Sequence, residues 1–377
     1  MRSVALLLLI TTIPAFAQDA RKAPSHIGPD AKELAQLRKM GVDYLLGRQA
    51  DDGSWTKPNA PGISALVTTA LLKSGLKPDH PAIKKALRHL VSHEKKDGGF
   101  YATDSNHRNY ETCLTILALT KANKDKRYDK QIAKAVNFLK GLQWDQGEGL
   151  SSTDGSFGGA GYGSHERPDM SNTQFFIEAL RASGVPEDDT NIQNALKFVS
   201  RAQNMQSEHN KMPFAGKIRD GGFYYTPAVG GETKGQVLPN GGLSSYGSMT
   251  YAGLKSMVYA GLKSDDKRVK SAFEWIQKNY TLDENPGVGL QGLFYYYHVF
   301  GKALSLMKVD YIVDANGKKH DWRKELTSKL TALRSAGFWV NKADRWYEGD
   351  PNLVTAYSLM ALSYCDPKTK PAAPTAK

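Results

Sequence analysis

The segment Glu166-Arg167-Pro168-Asp169-Met170-Ser171-Asn172-Thr173 offers an acid at the start of a helical pattern. Asp169 reads either as a proton donor or as an N-cap whose side chain bonds free amide groups. Ser171 and Asn172 are too weakly acidic to donate. Similar groups crowd other helix starts. Asp104, His107, Arg108, Asn109, Tyr110 and Glu111 form one set, and Tyr224, Tyr225 and Tyr246 another. Tyr295, Tyr296, Tyr297 and His298 form a third, and Trp346, Tyr347, Glu348 and Asp350 a fourth; His165 and Glu166 precede Asp169. Asp169, His107, Asp104, Glu111 and His298 are the candidate catalytic groups. Asn109, Tyr110, Asn172, Tyr246, Tyr296, Tyr297, Trp346 and Asp350 are the candidate ligand contacts. Aromatic faces stabilise cations, and they also stack on sugar rings. His, Tyr, Arg and Asn together suit removal of an α-proton beside a carboxylate. No Cys/His spacing suggests a metal site, and no cofactor motif is present.

Helices of two kinds must position these groups. Ile83, Ala86, Leu87 and Leu90 form one apolar stripe, with charge on the other faces. Ile132, Ala135, Val136, Leu139 repeat it, as do Ile192, Ala195, Leu196, Val199 and then Val269, Ala272, Phe273, Ile276. Less regular copies lie at 30–47 and 321–336. One-faced helices belong outside. Between them run segments apolar on nearly every side: Ile63–Leu72, Cys113–Leu119, Thr173–Leu180, Tyr251–Val258, Phe294–Leu306 and Leu353–Leu362. Such helices are buried. The alternation predicts an all-α protein, an (α/α)6 toroid with an inner ring inside an outer ring; an open superhelix is the alternative. The long connections Gly147–Ser164, Gly221–Gly247 and Asn285–Gly292 gather the Gly and aromatic residues at the mouth.

One unit recurs. Gly41–Trp55 ends a helix, passes Gln49 and turns at Asp51-Asp52-Gly53 to Trp55. Ala86–Phe100 repeats it. Gln143 is followed by Asp154-Gly155-Ser156-Phe157, and Gln203 by Asp220-Gly221-Gly222-Phe223. The Asp-Gly pair supplies a turn, and the Gln amide suits free carbonyls at a helix end. Gly41, Tyr44, Leu45, Gln49, Gly53 and Trp55 resemble the Gln-Trp motif of squalene cyclases. Over nearly the whole mature chain, the pattern is similar to the terpenoid cyclase/protein prenyltransferase superfamily. The resemblance implies a closed toroid with an elongated, terpenoid-type ligand in its central cavity. It aligns Asp169–Thr173 with the Asp-x-Asp-Asp-Thr segment whose middle Asp protonates an alkene; Asp169 and Thr173 keep their places, and Ser171 and Asn172 replace the other acids. The prenyltransferase zinc site is not matched: Val354-Thr355-Ala356-Tyr357 stands where a His-Thr-Cys-Tyr run belongs.

Arg2, the apolar run Ala5–Ile10 and Ala15-Phe16-Ala17 make residues 1–17 an export signal, followed by a polar lead-in over 18–29. One domain is expected over 30–365, with a disordered tail over 366–377. A periplasmic or secreted protein follows, with no transmembrane segment. The net charge of +12 is spread over outer helices, without a nucleic-acid-binding signature. Its oligomeric state is open. Two other functions fit the same composition: an exported polysaccharide-degrading lyase or hydrolase, and a non-catalytic scaffold. Cys113 and Cys365 are expected to stay unbridged. Aligned on Thr112 and Thr355, they differ by roughly 13–14 Å along the helix axis, where a disulfide needs Cα atoms within about 7 Å.

Overall fold

A helix with one apolar stripe and a helix apolar all round can satisfy each other only in layers, and the chain adopts that solution. The computed structural model describes residues 26–57, 59–163 and 167–369. The odd-numbered helices are outer: α1 Ala31–Gly47, α3 Pro81–Val91, α5 Asp129–Lys140, α7 Thr190–Arg201, α9 Lys267–Lys278 and α11 Trp322–Leu333. The even-numbered helices are inner: α2 Pro61–Lys73, α4 Arg108–Ala122, α6 Met170–Ala182, α8 Gly247–Tyr259, α10 Leu293–Leu306 and α12 Pro351–Leu362. Helix α3 buries Ile83, Ala86, Leu87 and Leu90 from its stripe, whereas α12 buries every residue from Asn352 to Leu362. Each inner helix packs against the next, and α12 packs against both α2 and α1. The ring is closed, an (α/α)6 toroid rather than an open superhelix.

Local chemistry at each turn fixes the ring. Gln49 Nε2 donates to Gly53 O (3.1 Å) and to Ala82 O (2.9 Å), in the first turn of the next outer helix. Gln143 bonds Gly158 O and Asn191 O, and Gln203 bonds Gly221 O and Arg268 O, in the same pattern. The amide therefore reaches forward, not to the end of its own helix. That end is met by the indole: Trp55 Nε1 donates to Leu45 O at 2.7 Å. The amide of the residue closing the turn bonds a hydroxyl on the following inner helix. Phe100 N reaches Thr112 Oγ1, Phe223 N reaches Thr250 Oγ1 and Trp339 N reaches Thr355 Oγ1.

The third copy corrects the sequence alignment. Ala160 N, not Phe157 N, bonds Thr173 Oγ1, and Gln143 bonds Gly158 O. The repeat turn is therefore Phe157-Gly158-Gly159-Ala160, and Asp154-Gly155-Ser156 forms a separate turn closed by Ser156 N on Asp154 Oδ1. Glycine is required at 158 twice over. Its φ is +88°, and a Cβ there would collide with Asn194 O on α7.

Residues 1–25 lie outside the described residues, and with them the expected signal at 1–17. His26–Ile27 pairs antiparallel with Lys368–Thr369, so order runs past 365 and the expected tail is corrected over 366–369; backbone pairing holds a segment that lacks an apolar pattern. Residues 370–377 lie outside the described residues. No described helix is long and apolar enough to cross a membrane.

Cys113 and Cys365 are both buried and free. Burial pushes the Cys113 thiol well up, and the Cys365 thiol to about 12. Thiol titration of the unfolded, unreduced protein is expected to count two free thiols; a count of zero would contradict the placement of α4 and α12 in the ring.

Candidate functional site

The inner helices all begin at one end of the ring, and there they surround a cavity of about 1100 Å³. Its wall follows helical stepping: Ser171 and then Phe175 on α6, Leu353 and then Tyr357 on α12, Tyr110 and Glu111 on α4, Tyr295 on α10. The deepest of these close into an aromatic floor. Phe175 meets Tyr110 edge-on at 5.1 Å and Tyr295 at 6.3 Å. Tyr295 meets Tyr357 at 5.9 Å, and the Tyr357 and Tyr110 hydroxyls bond at 3.0 Å. Tyr162, Tyr225 and Tyr246 line the side, and Lys57, Lys95, Trp346 and Tyr347 the rim.

Among the candidate catalytic groups, Asp104, His107 and Glu111 line this cavity. His107 is exposed and meets the Tyr162 ring edge-on at 4.9 Å. Glu111 is buried and accepts Ala102 N at 3.0 Å. Burial raises its pKa, with the Ala102 bond opposing. Asp169 stands behind the wall as the N-cap of α6. It accepts Ser171 Oγ at 2.6 Å, Asn172 N at 2.9 Å and Asn172 Nδ2 at 2.9 Å. Both carboxylate oxygens are thus occupied, and the residues that replace the missing acids are the ones that hold them. His298 is fully buried below the floor, its ring stacked on Tyr357 at 5.8 Å.

Of the candidate ligand contacts, Tyr110, Tyr246 and Trp346 line the cavity. The others do not. Asn109 and Asn172 are buried against each other (3.4 Å), and Asp350 caps α12 through Asn352 N and Leu353 N. Tyr296 and Tyr297 turn outward, their hydroxyls donating to Thr281 O and Leu282 O. Successive residues on a helix are about 100° apart, so one of three adjacent tyrosines faces the lumen, and it is Tyr295. His165 and Glu166 lie outside the described residues. Arg108 lays its guanidinium over the Tyr101 ring at 5.1 Å. It is not among the cavity-lining residues. Tyr162, Phe175, Met249 and Tyr357 went unnoticed in the sequence as contacts. Phase from the helix start would have found two of them, since Phe175 follows Ser171 by four residues and Tyr357 follows Leu353 by four.

Glu348 also lines the wall. Its carboxylate accepts Tyr295 N (2.8 Å), Phe294 N (3.2 Å) and Asn341 Nδ2 (2.6 Å), which caps α10. Burial pushes it up to about 7 against those bonds. No group of three or more His, Cys, Asp or Glu that could hold a metal ion occurs among the described residues.

The architecture is a closed (α/α)6 ring with an aromatic cavity at the inner-helix starts. Residues 50–227 match the squalene-hopene cyclase C-terminal domain. The type II terpene cyclase MstE from Scytonema shares the fold at 13% identity, with a TM-score of 0.55 over 89% of this chain and 98% of the enzyme. A variant of MstE bound to geranylgeranyl dihydroxybenzoate matches with a TM-score of 0.52 at 12% identity, over 89% and 97%. Candida albicans protein geranylgeranyltransferase-I complexed with GGPP matches with a TM-score of 0.50 at 13% identity, over 87% and 90%. No curated protein matches the chain significantly. The ring thus shares its fold with a type II terpene cyclase and a protein prenyltransferase, and residues 50–227 carry the match to the squalene-hopene cyclase C-terminal domain.

Proposed function

We propose that the protein is exported and binds an elongated terpenoid-type ligand in the cavity at the inner-helix starts. The observation that carries this reading is the floor of Phe175, Tyr110, Tyr295 and Tyr357 under a volume of about 1100 Å³. Ordinary ligand pockets span roughly 300–1,000 Å³, so the space suits a long apolar chain. The ring faces also suit any positive charge that develops on such a chain. Support comes from the neighbours, one seen with a geranylgeranyl substrate and another with GGPP. Export rests on the signal pattern of residues 1–17.

Turnover in this site falls to Glu111 rather than Asp169. Burial raises both carboxyls, but Asp169 spends both oxygens on its cap behind the wall, whereas Glu111 lies in the wall itself. A positioned acid contributes typically 10²–10⁴-fold. Glu111→Gln is therefore expected to lower formation of cyclised product by about that factor and to leave ligand-induced quenching of protein fluorescence unchanged. The assay incubates the purified mature protein with geranylgeranyl and squalene-like lipids and, separately, with acidic polysaccharides. Equal product from both proteins would move the acid to another residue. Polysaccharide cleavage without lipid binding would overturn the terpenoid reading.

A further inference from the structure

Directly below the aromatic floor the lumen carries unbalanced charge. Glu178 on α6 accepts from Lys255 on α8 (2.6 Å) and from Lys302 on α10. The side chains of Glu178, Lys255 and Lys302 are 2%, 0% and 9% exposed. One carboxylate therefore answers two buried ammonium groups. Half-buried Lys73 on α2 bonds the Tyr364 hydroxyl at 3.1 Å, and burial lowers its pKa to about 7. It has no carboxylate within ion-pair distance among the described residues.

His298 stands one helical turn before Lys302. It is 0% exposed, and neither ring nitrogen has a hydrogen-bond partner. An imidazole always carries at least one N–H donor, and a buried donor left unpaired is strongly disfavoured. The Tyr295 hydroxyl, one turn nearer the mouth on the same helix, is also buried without a partner. A water molecule would answer the missing hydrogen bonds and leave the charge uncompensated. A small anion answers both.

We propose that a chloride-sized monovalent anion is held beneath the aromatic floor, accepting from the His298 N–H and from the ammonium group of Lys255 or Lys302. This site is separate from the ligand cavity, because the floor rings close above it. It does not depend on the terpenoid reading. The anion acts as a structural component: a ligand that binds the folded state alone stabilises it in proportion to the logarithm of its concentration.

The test compares unfolding midpoints in sodium gluconate, chloride and bromide at one ionic strength. The wild-type midpoint is expected to rise saturably with either halide, by several degrees at about 100-fold above the dissociation constant. His298→Phe is expected to abolish that dependence. Crystals of the wild-type protein grown in bromide are expected to show an anomalous peak beside the His298 ring. An identical halide response in both proteins, or an ordinary water at the site with no anomalous signal, would overturn the proposal. If the variant does not fold, the bromide crystal decides alone.

Discussion

Glu178→Gln is expected to cost about 3–5 kcal/mol of stability, because it removes the one carboxylate paired with the buried Lys255 and Lys302. For a domain of this size that is a fall in melting temperature of roughly 4–7 °C. The hydrogen bond that Lys255 donates to Gln174 survives the change, so the effect isolates charge. Replacing all three members, Glu178→Leu, Lys255→Met and Lys302→Met, is expected to recover most of the loss, since well-packed apolar residues replace a buried ion cluster at little net cost. If the single variant melts with the wild type, the cluster is not buried as described. The pH dependence carries the same signature. Burial works to raise the Glu178 carboxyl, but the charges of Lys255 and Lys302 outweigh it and hold the group well below its ordinary 4.5. The folded state thus binds that proton less readily than the unfolded chain. The contribution is present in full above about pH 4.5 and is lost progressively as pH falls below it. Glu178→Gln is expected to flatten that part of the acid-unfolding profile.

Gly158→Ala is the second large effect. The new methyl group would meet Asn194 O with φ held at +88°, and the turn that receives Gln143 would have to move. A loss of about 3 kcal/mol or more is expected from strain and displaced packing together. Gly75→Ala is the matched control. Its φ is +105°, and nothing lies within 4 Å of the added Cβ, so only conformational strain remains, about 1–2 kcal/mol. Urea unfolding of the two variants separates the terms. Equal losses would show that the approach to Asn194 is not needed.

Much of the ring was legible in the sequence because its signals are local. Ile83, Ala86, Leu87 and Leu90 mark one stripe, and Leu353–Leu362 none, which sorts outer from inner helices without any long-range information. The site was legible only to the level of the helix end. Three adjacent tyrosines at 295–297 cannot all face inward, and composition does not say which one does. Asp169 was equally ambiguous, since a carboxylate at a helix start reads as acid or as cap until its partners are seen. The Glu178 cluster was missed for another reason. Its members each interrupt an apolar helix singly, and Glu178 lies 77 residues from Lys255 and 124 from Lys302, so no window of sequence contains the pairing. The insertion at 147–156 displaced the repeat alignment because it carries an Asp-Gly pair of its own.

Closure has a consequence for how the chain could be rewired. In an open solenoid the first and last units are special, because each shields one end of a continuous core. Here α12 rests on α2, and His26–Ile27 lies beside Lys368–Thr369, so no unit is privileged by position. A short linker from residue 369 to residue 26 could join the two ends. New ends could then be opened in the exposed turn around Gly149, where the added Cβ of a side chain meets nothing within 4 Å. The same ring should assemble from that circular permutant, with its helices synthesised in a different order.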